Sequence, residues 1–228
     1  MHRSGTSCLA GSLQSAGLHL GKVHTRNPYN LKGNRENPEI MALHERVLAD
    51  NNASWDAPPP GSATWPDDLA RRRDEIVAGY GGVPLWGFKD PRTLVLLEGW
   101  REALPRLEPA GIFRHPAAVA RSLIARDRRR FDWSSALGLW RVYNQRLLLE
   151  FERKPFPLIE FVNMPARLAE SLVRVCAALD LPHPECADDF FDAQLQKQAP
   201  EEAEVDDKSA ALYARLREYE KEFKRSFP

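Results

Sequence analysis

The sequence predicts an α/β domain in three layers, a central parallel sheet covered by helices on both faces. Three observations carry that prediction. Short apolar runs at residues 83–88, 111–113 and 157–162 are separated by stretches of helical periodicity, and strands alternating with helices of this length build parallel sheets. The 228 residues are about one and a half times the ~150 of a typical domain, which favours a single domain over residues 1–228 rather than two small ones. A composition of 43% hydrophobic and 28% charged residues is that of an ordinary globular chain. At this length folding buries roughly 70% of the unfolded surface, so neither disulfides nor a metal staple is needed.

The elements follow in order. The chain opens with a loop that feeds a helix at residues 8–16, where Leu9 and Leu13 lie one turn apart and Gly17 supplies the stop. Asn37-Pro38 starts a second helix carrying Ile40, Leu43, Val47 and Leu48 on one side. The Pro58-Pro59-Pro60-Gly61 segment is a loop, and a charged helix runs over residues 66–80. A strand at 83–88, a helix at 94–107 and a strand at 111–113 come next, then helices at 115–126 and 134–152 and a third strand at 157–162. Helices at 165–179 and 207–224 complete the chain, with Leu168, Leu172, Cys176 and Leu179 on one stripe and Leu212, Leu216, Tyr219 and Phe223 on the other. The acidic residues 201–207 read as a solvated linker.

Charge excludes several functions. There are 32 Lys and Arg against 32 Asp and Glu, so the chain lacks the general basic excess of a polyanion binder and no nucleic-acid partner is expected. Local basic pockets stay open, since 24 of the 32 cations are Arg, the side chain suited to bidentate phosphate or sulfate recognition. Cys8, Cys176 and Cys186 are odd in number and lack ligand-like spacing, which argues for a reduced, cytoplasmic chain without a zinc site. No apolar run reaches the ~18 residues of a spanning helix, so neither a membrane span nor a signal peptide is expected.

The chemistry concentrates at strand ends. His2-Arg3-Ser4-Gly5-Thr6-Ser7 leads into a helix N-terminus and offers backbone N–H groups, hydroxyls and a cation to an anion. It lacks the Gly-Lys-Ser/Thr of nucleotide triphosphatase loops, which disfavours ATP hydrolysis; standing alone, it reads equally well as an N-cap. Lys89-Asp90-Pro91-Arg92 follows the first expected strand, and Arg114-His115-Pro116, with Ser122 eight residues after Arg114, follows the second. Ligands of parallel sheets bind beyond the carboxyl ends of the strands, where these clusters fall.

Taken together, these segments resemble the sulfotransferases that use 3′-phosphoadenosine 5′-phosphosulfate (PAPS), and in particular their bacterial members. Arg3-Ser4-Gly5-Thr6-Ser7 resembles that family's 5′-phosphosulfate loop, and Arg114 with Ser122 its 3′-phosphate binders. Gly87-Phe88-Lys89-Asp90-Pro91-Arg92 and Asn30-Leu31-Lys32-Gly33-Asn34-Arg35-Glu36-Asn37 are similar to phrases of bacterial members, and the likeness runs in order over about residues 2–150. The resemblance implies a P-loop nucleotide-kinase-like fold and PAPS as co-substrate with no metal. It also implies a small-molecule, lipid or glycan acceptor, of a hydroxyl or an amine. It further implies a hydrophobic first strand ahead of the loop; here the loop begins at residue 2, so that strand is expected to be missing.

Sulfuryl transfer asks the protein for in-line positioning and charge stabilisation rather than covalent work. Arg3, which cannot donate a proton at neutral pH, serves the leaving phosphate electrostatically, with Thr6 and Ser7 beside it. The resemblance places a carboxylate at Glu36, the first candidate base. Its other reading is a surface carboxylate favoured by the helix dipole. His24 is the second candidate, with the better unperturbed pKa. Lys89 reaches either the sulfuryl oxygens and acceptor or a carboxylate such as Asp90, while Asp90 and Arg92 brace each other. His115 orders its turn, the 126–130 Arg run is a solvated helix end or an acceptor patch, and Trp133, Trp140 and Tyr143 belong to the core. The alternatives are a small-molecule kinase using ATP and magnesium, and a degenerate member that binds a nucleotide or a protein without catalysis.

Overall fold

The computed structural model describes residues 1–25, 33–187, 190 and 204–226. The chain divides into two compact units: a sheet unit, Met1–Gly17 with Pro109–Pro228, and an inserted unit, Leu18–Glu108.

The sheet unit is α/β. Strands β1 (Gly111–Phe113) and β2 (Leu158–Glu160) pair in parallel, with Gly111 opposite Leu158 and Phe113 opposite Glu160. Every residue of both strands is buried. The ladder extends past each end: Gly111 N–H donates to Pro157 O at 2.8 Å and Phe161 N–H to Phe113 O at 2.7 Å. Helices α5 (Pro116–Arg126) and α6 (Trp133–Arg153) form the crossover and pack on one another. Asp132 and Ser135 make a capping box at the start of α6, whose inner face buries Trp140 and Tyr143 completely; Trp133, at the first turn, is half-buried.

Helix α1 (Thr6–Ser15) lies against α7 (Pro165–Ala178), which buries Leu168, Leu172 and Cys176 while Leu179 stays half-buried beyond its end. Helix α8 (Asp207–Ser226) packs on α6 and β2 through Leu216, Tyr219 and Phe223, the Tyr219 ring stacked on Phe151 at 4.5 Å. Among the described residues the sheet has two strands.

The inserted unit is helical. Helix α2 (Pro38–Asp50) begins where the sequence predicts, with Asn37 Oδ1 accepting the Glu39 N–H at 2.9 Å and Pro38 in the first turn. Helix α3 (Asp67–Ala78) packs against α2, and α4 (Leu97–Ala103) against α3. Two expectations are corrected in this unit. The strand at 83–88 reduces to one parallel bridge, His19 to Trp86, held by His19 N–H to Leu85 O at 3.2 Å and Gly87 N–H to His19 O at 3.0 Å. An apolar run becomes a strand only where a partner offers consecutive backbone groups; here the ladder ends after one residue, and Trp86 instead stacks on Tyr80 at 4.2 Å. The helix at 94–107 is a 3-10 turn, Pro91–Val95, followed by the shorter α4, because Asp90 caps the Arg92 N–H and starts the turn early. Pro105 then ends α4, since the residue before a proline is driven out of the helical region.

Candidate functional site

The candidate residues form two groups, one in each unit. In the sheet unit the N-terminal loop has left-handed backbone at Arg3 (φ 65°) and Gly5 (φ 85°), with Ser4 between them at negative φ. Alternation of sign along a short loop turns successive N–H groups to one side, the arrangement of anion-binding nests. Gly5 also meets a steric demand: a Cβ there would lie 2.2 Å from the Phe161 ring. As N-cap of α1 it gives no side-chain acceptor to the first turn, which also contains no acidic residue.

Arg3, Arg114 and Ser122 come together although they are far apart in sequence. The Arg3 Nε–H donates to Ser122 Oγ at 2.7 Å, and Arg114 Nη1 donates to the Arg3 carbonyl at 3.4 Å. The Arg114 guanidinium lies 5.2 Å from the centre of the Phe161 ring, and its own carbonyl accepts the Trp140 indole N–H at 3.0 Å. Helix α5 carries Ser122, and the end of β1 carries Arg114. Among the described residues Arg3 has no carboxylate within salt-bridge distance; burial, and then the charge of Arg126, lower its pKa from the ordinary arginine value. A half-buried guanidinium beside a second cation is electrostatically unfavourable, and a neighbouring anion would relieve it. Thr6 and Ser7 are half-buried at the start of α1, whereas Ser4 is completely buried and its Oγ lacks a hydrogen-bond partner.

In the inserted unit the second group centres on Lys89 and Glu36. Lys89 Nζ donates to Glu36 Oε1 at 2.6 Å and to the Asn34 carbonyl at 3.2 Å, with the two side chains 12% and 7% exposed. Burial lowers the Lys89 pKa and the Glu36 charge opposes that shift. Of the two readings for each residue, Lys89 pairs with a carboxylate, Glu36 rather than Asp90, and Glu36 is buried rather than on the surface. Among the described residues the lysine is held by one carboxylate oxygen of Glu36, Oε1.

His24 is exposed, and its backbone pairs with the same segment: His24 N–H donates to Glu36 O at 3.0 Å and Arg35 N–H to His24 O at 3.1 Å. Gly33 (φ 79°) makes that approach possible, because a Cβ there would sit 2.3 Å from His24 O. Both candidate bases thus belong to one loop closure. The Asn30, Leu31 and Lys32 positions of the motif lie outside the described residues.

The sequence reading missed His44. From α2 its Nδ1 lies 3.2 Å from Asp90 Oδ2, and its Nε2 accepts the Trp100 indole N–H at 2.8 Å. Asp90 and Arg92 do brace each other, with Arg92 Nε 3.0 and 3.1 Å from the two carboxylate oxygens. A histidine at an inward position of an amphipathic helix was the available signal. No metal-binding group of three or more His, Cys, Asp or Glu occurs among the described residues. Compared with family models, curated proteins and solved structures, the chain matches none.

Proposed function

We propose that the protein is a sulfotransferase that moves the sulfuryl group of PAPS to a hydroxyl or amine of a small molecule, lipid or glycan. One observation carries the reading: two anion-recognition segments 119 residues apart in sequence meet through the Arg3 to Ser122 bond. The 5′-phosphosulfate belongs on the loop N–H groups of residues 4–7, with Arg3 and the Thr6 and Ser7 hydroxyls, and the 3′-phosphate on Arg114 and Ser122. An acceptor oxygen attacks sulfur as the bond from sulfur to the bridging oxygen breaks. The bridging electrons pass to the departing 5′-phosphate, where Arg3 and the loop N–H groups stabilise the added charge. For the acceptor proton the resemblance assigns Glu36 as base, with His24 as the second candidate, and within the inserted unit Lys89 holds Glu36 Oε1.

The reading includes the finer architecture, a three-layer, P-loop-like domain around a larger parallel sheet. Calorimetric titration with adenosine 3′,5′-bisphosphate, against ADP and against ATP with magnesium, tests it. The expected result is metal-independent preference for the 3′-phosphorylated nucleotide, weakened about 10- to 100-fold by Arg114→Ala through loss of a charged hydrogen bond, with the fold retained. Preference for ATP with magnesium would make the protein a kinase, and unchanged affinity in Arg114→Ala would remove that residue from the site.

A further inference from the structure

In the inserted unit, Lys89 and Asp90 are consecutive residues that anchor to the start and the middle of one helix. Lys89 reaches Glu36, just ahead of α2, and Asp90 reaches His44, two turns into it. Asp90 has extended backbone (φ −148°, ψ 130°), and neighbouring side chains of an extended segment point to opposite sides. The Asp90 and His44 side chains are both fully buried, while Lys89 keeps 12% exposure.

Among the described residues, the polar atoms around the Asp90 carboxylate come from this unit. Arg92 supplies its backbone N–H at 2.8 Å and its Nε, and His44 Nδ1 approaches Asp90 Oδ2 to 3.2 Å. The Trp100 indole can only donate, so its bond to His44 Nε2 requires that nitrogen to be unprotonated and leaves the ring proton on Nδ1, facing the carboxylate. Trp100 is itself completely buried, which prevents water from replacing it.

We propose that His44 is a positioning residue for the Lys89 and Glu36 pair: its Nδ1–H holds Asp90 inward, and that register keeps Lys89 Nζ on the Glu36 carboxylate. The proposal rests on the assignment of this pair to acceptor chemistry, but the contact it describes is measurable without any turnover. Slipping the segment by one residue exchanges inward and outward side chains, so releasing Asp90 releases Lys89 with it.

Two substitutions separate the two ring nitrogens. His44→Asn retains a donor near Nδ1 and gives up the Trp100 acceptor; His44→Gln retains an acceptor near Nε2 and gives up the donor. The readout is acetic anhydride labelling of the full chain, resolved by mass spectrometry, with exposed Lys22 as internal reference. Near-UV circular dichroism of the buried Trp100 checks the fold of each variant. Lys89 should be protected relative to Lys22 in the wild type and in His44→Asn, and should lose that protection in His44→Gln. Asp90→Asn, which removes the charge but keeps an acceptor for the Arg92 N–H, should expose Lys89 as well. Protection unchanged in His44→Gln and Asp90→Asn, or lost equally in both His44 variants, overturns the proposal. Labelling as expected in a protein that binds no 3′-phosphorylated nucleotide instead rejects the sulfotransferase reading and leaves the positioning contact standing.

Discussion

Asp90 in the inserted unit and Glu160 in the sheet unit are 6% and 5% exposed, yet their surroundings push them in opposite directions. Burial alone raises the pKa of Asp90, but the His44 bond and the Arg92 charge outweigh it and hold the carboxyl well below the usual range. For Glu160 burial dominates: the Tyr213 hydroxyl bond and the Arg167 and Arg217 charges oppose it, the Glu220 charge adds to it, and the pKa rises. Depth does not decide the outcome; the balance of cations and carboxylates does. Arg92 gives its Nε to Asp90 and turns its Nη1 to the exposed Glu45 at 2.9 Å, so Asp90 is the one buried carboxylate it faces among the described residues, whereas Arg167 is divided between two buried carboxylates, Glu160 at 3.2 Å and Glu220 at 3.3 Å.

The largest test of this contrast is to delete each carboxylate. Asp90→Ala leaves Arg92, whose side chain is 5% exposed, without its buried partner and should cost about 3–5 kcal/mol in urea unfolding. Glu160→Gln keeps an acceptor for Tyr213 and removes a charge that burial disfavours, so its cost should stay under about 1 kcal/mol. Equal losses would break the comparison.

Acidity sharpens it with opposite signs. A raised folded-state pKa gives Glu160 a stabilising contribution that is complete below its ordinary 4.5 and is lost as pH rises through the folded value. A lowered one gives Asp90 a contribution present above 3.8 and lost as pH falls from there towards the folded value. The stability advantage of wild type over Glu160→Gln should therefore grow on acidification from pH 7 towards 4.5, an interval in which the Asp90 contribution is constant. A flat difference across that interval would contradict the assignment.

Glu220→Gln should produce a smaller change, a downward shift of the Glu160 titration followed by carboxyl NMR, since it removes a like charge that acts on that group. The smallest effect belongs to the exposed Arg46 and Asp50 pair, 3.0 Å apart on α2, where Arg46→Ala should cost no more than about 0.5 kcal/mol by thermal unfolding.

Local signals in the sequence carried the helices well. Asn37-Pro38 places the start of α2 because both residues act within one turn, and the apolar stripes of α6 and α7 recur at a period set by the helix itself. The loop at residues 3–7 was legible for the same reason: Gly5 meets a backbone requirement that few other residues satisfy. Residues 83–88 were misread because an apolar run records burial but not whether a neighbouring strand exists. Glu201, Glu202 and Ala203 of the expected linker lie outside the described residues.

By itself the sequence determined most of the helices and the positions of the strands at 111–113 and within 157–162, through periodicity and turn signals that act over a few residues. Only the tertiary structure decided that Arg3 bonds Ser122, that Lys89 takes Glu36 rather than the adjacent Asp90, and that Asp90 takes His44. Which charged group meets which is settled by the low-dielectric environment each must enter, where an ion persists only beside its complement, and that complement is chosen by packing rather than by distance along the chain.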